Sequence, residues 1–328
     1  MSESSARSRV IRHAAPLASA GLVITWSSGF IGAELTRRAH ADPLTVLGWR
    51  FVLLSGLLLA ACRVTGTSLR SWQSWLRQGT LAVLCQVIYL GLVFEGIHRG
   101  VAGGTAALVA ALQPLLVATV AGRLLGERST PIMWVGMVLG LGGVAVVVSG
   151  DLESSGTPAW AFALPVAGML SLAAGTVLTR RLRPSETMLQ TITIQAVVTA
   201  IAFMAAAVGS GEAAPPNQPK AWLAIGWLIV LASLGGYVLY IHVTHTLGAT
   251  VVSTLLYLTP PVTMLWAFAM FGDPVTGLGL LGLVISGAGV FLTLRGRRGS
   301  RATDAVSARS RSRTGRDRED SQADSPTR

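Results

Sequence analysis

Apolar residues in this chain come in long runs rather than in alternation. Ten stretches of near-continuous apolar sequence follow one another, at roughly 15–35, 44–62, 79–98, 101–123, 131–150, 159–179, 188–209, 221–244, 248–271 and 276–294. A helix rises about 1.5 Å per residue, so about 20 apolar residues cross a hydrocarbon layer about 30 Å thick. Only a helix satisfies its backbone hydrogen bonds within one segment of that length. The pattern therefore predicts an all-α integral membrane protein with ten transmembrane helices. Polar and turn-forming clusters separate the runs: Arg37-Arg38, Asp42-Pro43, Gly126-Glu127-Arg128, Arg183-Pro184-Ser185, Pro215-Pro216-Asn217 and Gly272-Asp273-Pro274. The first run is expected to remain as a span. It is too long for a signal-peptide core, nine more follow it, and no small-residue cleavage site is evident.

Composition agrees. Of 328 residues, 51% are hydrophobic and 12% charged, against about 25% charged in a soluble domain. A net charge of +11 raises the question of nucleic acid, and its distribution answers it. Ten arginines lie at or beyond Arg295, and Arg7, Arg9 and Arg12 precede the first run; most others stand where runs end. No basic face is interleaved with aromatics, so no nucleic-acid partner is expected; the partner of this surface is the lipid bilayer. With the N-terminus cytoplasmic, eleven arginines border the inner ends of the spans before the tail is counted. Arg37, Arg38, Arg99 and Lys220 border the outer ends. The excess predicts a multi-pass cell-membrane protein with both termini cytoplasmic. Residues 1–14 form a cytoplasmic N-terminal segment, and 295–328 a disordered Arg-rich cytoplasmic tail. Cys62 and Cys85 have neither metal-ligand spacing nor a disulfide framework, and no cofactor or metal is implied.

The chain repeats itself at an offset of 146 residues. Pro114 falls on Pro260, Gly126 on Gly272, Glu127 on Asp273 and Thr130 on Thr276; the register continues with Gly136 on Gly282 and Gly143 on Gly289. Leu35-Thr36-Arg37-Arg38 echoes Leu178-Thr179-Arg180-Arg181 at an offset of 143. The reading is two five-helix repeats, 15–150 and 159–294, joined by an external linker at 151–158. Five is odd, so the second repeat enters the membrane inverted. Inverted repeats suit secondary transporters, because two similar halves can exchange conformations about a midplane site.

Particular residues add to this. Trp26-Ser27-Ser28-Gly29-Phe30, Arg50-Phe51, Pro114 with Leu125-Gly126-Glu127-Arg128, and the second copy from Pro260 to Gly272-Asp273 resemble EamA-type transporters of the drug/metabolite transporter superfamily. The resemblance covers about residues 16 to 294. It implies two inverted five-helix repeats and transport of metabolites, amino-acid derivatives or drugs, often with a coupling proton. Two positions depart from it. Glu34 stands where relatives often carry a basic residue, and Asp273-Pro274 stands where Glu followed by another residue is more usual.

Ionisable groups inside spans are costly and tend to be functional. Arg50, a third of the way into the second span, is a candidate to hold a carboxylate or phosphate, with Glu34 and Glu95 as its nearest expected partners. Those two acids are also the proton-coupling or gating candidates. Pro114 and Pro260 each remove a backbone hydrogen bond and bend their span at equivalent positions. Trp26, Gln113 and Tyr257 are polar-tipped neighbours for a ligand, and Gln86 and Gln195 are further buried amides. His242 and His245 alone provide too few ligands for a metal. The chain is read as a secondary transporter, an exporter of small molecules by alternating access, and not as an enzyme: it has no zincin, nucleophile-elbow or phosphate-loop motif. A channel or receptor, or an intramembrane enzyme without a recognisable motif, is the competing reading.

Overall fold

The computed structural model describes residues 2–69, 71–117, 130–247, 249–293 and 295. All ten predicted stretches are helical there: α1 (Ser2–Arg38), α2 (Pro43–Thr65), α3 (Trp72–His98), α4 (Gly103–Val117), α5 (Pro131–Ser155), α6 (Ala163–Leu182), α7 (Met188–Ser210), α8 (Pro219–Leu247), α9 (Ala249–Leu256 and Thr259–Phe271) and α10 (Gly277–Thr293). Among the described residues, eight helices are long and apolar enough to cross a membrane, and the described parts of α4 and α10 are shorter apolar helices. The end of the fourth predicted run, Gly126-Glu127-Arg128, Arg70 and the tail from 296 onward lie outside the described residues. α1 starts well before the predicted 15, and α5 continues past the predicted 150. Hydropathy marks where a helix is apolar, and polar turns can extend it at either end.

Local signals start the helices. The Asp42 carboxylate accepts from the amides of Leu44 at 2.8 Å and Thr45 at 3.2 Å, and Pro43 fills the first turn of α2. Thr187 and Gln190 form a reciprocal capping box at the start of α7. The caps Asp42 and Thr187 are counterparts, 145 residues apart.

Packing shows the inversion directly. α2 lies antiparallel to α7: Cys62, late in α2, meets Thr193, early in α7, at 3.3 Å, while Gly48 faces Met204. α5 lies antiparallel to α10, with Gly136 against Gly289 and Gly143 against Gly282. The repeat maps Gly136 onto Gly282 and Gly143 onto Gly289, so these are one contact seen twice, as a two-fold axis requires. Backbone meets backbone here. A Cβ on Gly282 would overlap the carbonyl oxygen of Gly143. The contact of α1 with α8 likewise recurs as that of α6 with α3. Trp227 donates from α8 to the carbonyl of Ser28 at 3.0 Å, and Ser171 donates from α6 to that of Leu84 at 2.9 Å.

The helices are irregular at matching places. α3 passes through a π-helical segment at Val83–Ile88, and α8 through one at Leu228–Gly235. α4 opens at Leu112, just ahead of Pro114, and α9 at Tyr257-Leu258, just ahead of Pro260. Leu112 and Leu258 are 146 residues apart and share one backbone geometry, with φ −77° and ψ −14° in the first and φ −82° and ψ −8° in the second. Proline accounts for the breaks in α4 and α9, since it leaves a carbonyl without its helical donor.

Candidate substrate cavity

These irregularities surround a cavity of about 440 Å³ in the middle of the bundle, within the range of small-molecule sites, about 300–1,000 Å³. Its described lining comes from α1 to α4 and from α6 to α9. Both π-helical segments contribute, through Cys85 and Gln86 in one and Ala232, Ser233 and Leu234 in the other. Extra residues in such a segment re-aim side chains that a regular helix would turn away. The wall is largely apolar and aromatic, with Phe30, Phe51, Tyr89, Phe94 and Tyr237 among its residues.

Arg50 is the one charged residue among the described lining residues. It is 7% exposed. Nη2 donates to Ser233 Oγ at 3.0 Å, and the guanidinium carbon lies 4.8 Å from the centre of the Phe51 ring. Its Nε is buried without a partner. Arg50 makes no ion pair among the described residues. A charge held this far from water costs several kcal/mol unless an anion compensates it. Thr259 Oγ1, also on the wall, is a second buried group without a partner.

Of the residues singled out from the sequence, Trp26, Arg50, Gln113, Pro114 and Tyr257 stand together on this wall. Pro260 is buried next to the wall residue Thr259 and does not line the cavity itself. Trp26 stacks on Tyr240 with ring centres 5.7 Å apart, and Gln113 donates to Thr176 at 2.8 Å.

Arg50 does not pair with Glu34 or Glu95, its expected partners. Glu34 is buried, accepts from Arg38 Nε at 2.7 Å and also pairs with Arg37. Glu95 accepts from Arg99 at 2.7 Å. Neither acid lines the cavity. Both are taken by arginines three or four residues further along their own helix, the spacing at which helical neighbours meet. Glu34 instead belongs to a tie at the face where α1 ends. There Arg38 Nη2 reaches Asp273 Oδ1 at 2.5 Å, and the Arg38 guanidinium sits 4.5 Å from the Phe271 ring centre.

Sequence reasoning missed Ser233 and Tyr237, which gave no local signal. It noted Gln86 and Gln195 without seeing what they form. Gln195 donates to Gln78 at 2.8 Å and accepts from Gln86 at 2.8 Å, and Gln86 accepts from Thr199 at 3.1 Å. Gln78 continues the chain to Glu186, in the loop between α6 and α7, at 3.1 Å, and Arg77 pairs with the same carboxylate at 2.7 Å. Burial alone would push the Glu186 carboxyl up. Hydrogen bonds from Ser74, its own backbone amide, Gln78 and Arg77 outweigh that and hold it at about 2. The ladder ties the face where α3 begins, opposite the one closed by Arg38 and Asp273. Each of these two faces thus carries an ion pair between the repeats.

Apolar helices in two inverted repeats around a central cavity define a membrane transport protein. The chain matches the EamA-like transporter family over residues 14–149 and again over 159–295, and it belongs to that family. It is 28% identical over 276 residues to the inner membrane transporter YedA of Escherichia coli (strain K12), covering 83% of this chain and 88% of that one. A probable amino-acid metabolite efflux pump of Salmonella typhimurium is 23% identical over 289 residues, covering 84% and 93%. A probable terminal-alkyne amino-acid exporter of Streptantibioticus cattleyicolor is 28% identical over 290 residues, covering 85% and 93%. A solved crystal structure superposes with a TM-score of 0.61 at 20% identity, over 88% of this chain and 99% of that one, and supports the fold. Family and relatives indicate a transporter rather than an enzyme.

Proposed function

We propose that this protein is a secondary carrier that exports small organic metabolites by alternating access, with both termini in the cytoplasm. One observation carries the reading: the cavity is built by helices of both inverted repeats, while α5 and α10 stay outside it and join the halves through glycine backbone contacts. Exchange of conformation between the halves about that joint exposes the cavity to one face and then the other. The ion pairs Arg38–Asp273 and Arg77–Glu186, on opposite faces and each between repeats, are the ties that break in alternation. The names of the relatives in Salmonella and Streptantibioticus support export and an amino-acid-derived cargo. The arginine distribution supports the orientation.

A coupling proton enters this scheme through Glu34, whose partner Arg38 holds Asp273, or through Glu95. Transport driven by a pH gradient is then lost in the Glu34→Gln, Glu95→Gln double variant. Transport that survives in that variant and ignores the gradient removes the proton.

The carrier itself is tested without knowing its cargo. Cells expressing the wild-type chain or Arg50→Met are grown in parallel and their media compared by mass spectrometry. A carrier releases at least one compound from the wild type alone, and that compound exchanges with saturation in reconstituted vesicles. Identical media, or flux that never saturates, overturn the reading; non-saturating flux is the mark of a channel.

A further inference from the structure

From the charge of the cavity we infer that its ligand is a monoanionic carboxylate with an apolar or aromatic body, taken in preference to zwitterions, cations and dianions. The inference rests on the carrier reading of this cavity and specifies its cargo. A guanidinium presents five N–H donors in a planar fork that matches a carboxylate. In Arg50 one donor goes to Ser233, and Nε, buried, has no partner. The described lining holds no acid to neutralise it. The ligand therefore supplies the missing negative charge, by charge-assisted hydrogen bonds to a donor already desolvated.

The same inventory sets the limits. An α-amino acid brings an ammonium group as well as a carboxylate. That ammonium would meet amides, hydroxyls and aromatic rings but no carboxylate among the described lining residues. A phosphate monoester brings close to two negative charges against one positive, and leaves the second uncompensated in an apolar cavity. A single carboxylate balances the site. Phe30, Phe51, Leu54 and Phe94 form apolar wall for the rest of the molecule. Ser233, by accepting from Nη2, is a positioning residue for the guanidinium.

Four probes share one phenyl ring and differ in head group: 3-phenylpropionate, L-phenylalanine, phenethylamine and phenyl phosphate. Their binding to the purified full chain in detergent is measured by equilibrium dialysis. We expect 3-phenylpropionate to bind at least ten-fold more tightly than each of the other three. Arg50→Met should weaken it by ten-fold or more, and Arg50→Lys should keep part of the affinity. Ser233→Ala should weaken it three- to ten-fold; it serves as the second variant should Arg50→Met not yield a monodisperse protein. Equal or tighter binding of any other probe overturns the inference. So does unchanged binding by both Arg50→Met and Ser233→Ala, or binding of no probe at all. Saturable exchange of the compound found in the medium separates the two readings. If it persists while the probe ranking fails, the carrier stands and the ligand class falls.

Discussion

The hydroxyl of Ser286 in α10 donates to the carbonyl of Gly140 in α5 at 3.0 Å, and the two residues are each other's counterparts, 146 positions apart. Counterparts that touch lie beside the axis relating the repeats, so this hydrogen bond marks where the pseudo-two-fold passes. The glycine pairs Gly136–Gly289 and Gly143–Gly282 flank it. Interfaces of this kind, where small residues let helix backbones approach, hold membrane helices together without help from the hydrophobic effect.

Gly282→Ala should destabilise the protein strongly. Its Cβ would meet the Gly143 carbonyl and lie 3.0 Å from the Val147 amide, and backbone cannot step aside. Overpacking of this sort costs about 1–3 kcal/mol, which lowers the melting temperature of the detergent-solubilised chain by several degrees. Gly287→Ala, in the same helix with nothing within 4 Å of its added carbon, should melt like the wild type.

Asp273→Asn should move the conformational balance more than the stability. Arg38 and Asp273 are each 36% exposed in their side chains, and pairs of that exposure contribute about 0.2–1 kcal/mol. Set between two conformations of similar energy, that changes their ratio by up to about five-fold. A cysteine placed at Ala107, on the cavity wall one turn into α4, in a chain lacking Cys62 and Cys85, should react faster with a reagent added from the α1-end face when Asp273 is Asn.

Glu186 makes the fold sensitive to acid. Its folded carboxyl ionises at about 2 rather than the ordinary 4.5. Its contribution is therefore complete above 4.5 and disappears as pH falls from there to about 2. Glu186→Gln should melt lower than the wild type at pH 7, with the gap narrowing below pH 4.5 and closing only near pH 2. A constant gap would mean the charge is not what holds the loop to α3.

Ser233→Ala should raise the KM for the transported compound three- to ten-fold at similar kcat, beyond any small loss in melting from the missing hydrogen bond. Removing the acceptor frees the Arg50 guanidinium to turn, at a cost of about 1 kcal/mol in ligand orientation. A change confined to melting would make Ser233 a packing residue.

Much of this architecture was legible in the sequence because it rests on local and periodic features. Apolar run length gave ten helices, and the register of Pro114 with Pro260 and of Gly136 with Gly282 foretold matched breaks and a matched crossing. The partner of Arg50 was not legible. Counting acids within the spans pointed to Glu34 and Glu95, but Arg37, Arg38 and Arg99 stand three or four residues from them. A local pair on one helix forms without any tertiary arrangement, so these arginines had the prior claim. Ser233 lies 183 residues from Arg50, and it reaches the cavity through a π-helical segment that nothing in Leu228–Gly235 announces.

Arg50 and Gln195 stand at the same place in their repeats, each eight residues after its helix cap, Asp42 or Thr187, and both face the cavity. Duplication supplied two copies of one position, and the copies now differ: one is a cation seeking an anion, the other an amide whose hydrogen bonds are already taken by Gln78 and Gln86. The scaffold is close to symmetric, but its grip is one-sided. In the proposed carrier, cargo anchored to Arg50 would stay attached to the first repeat throughout the cycle, so it would cross the membrane like a passenger in a fixed seat, its head group toward the same helix on departure and on arrival.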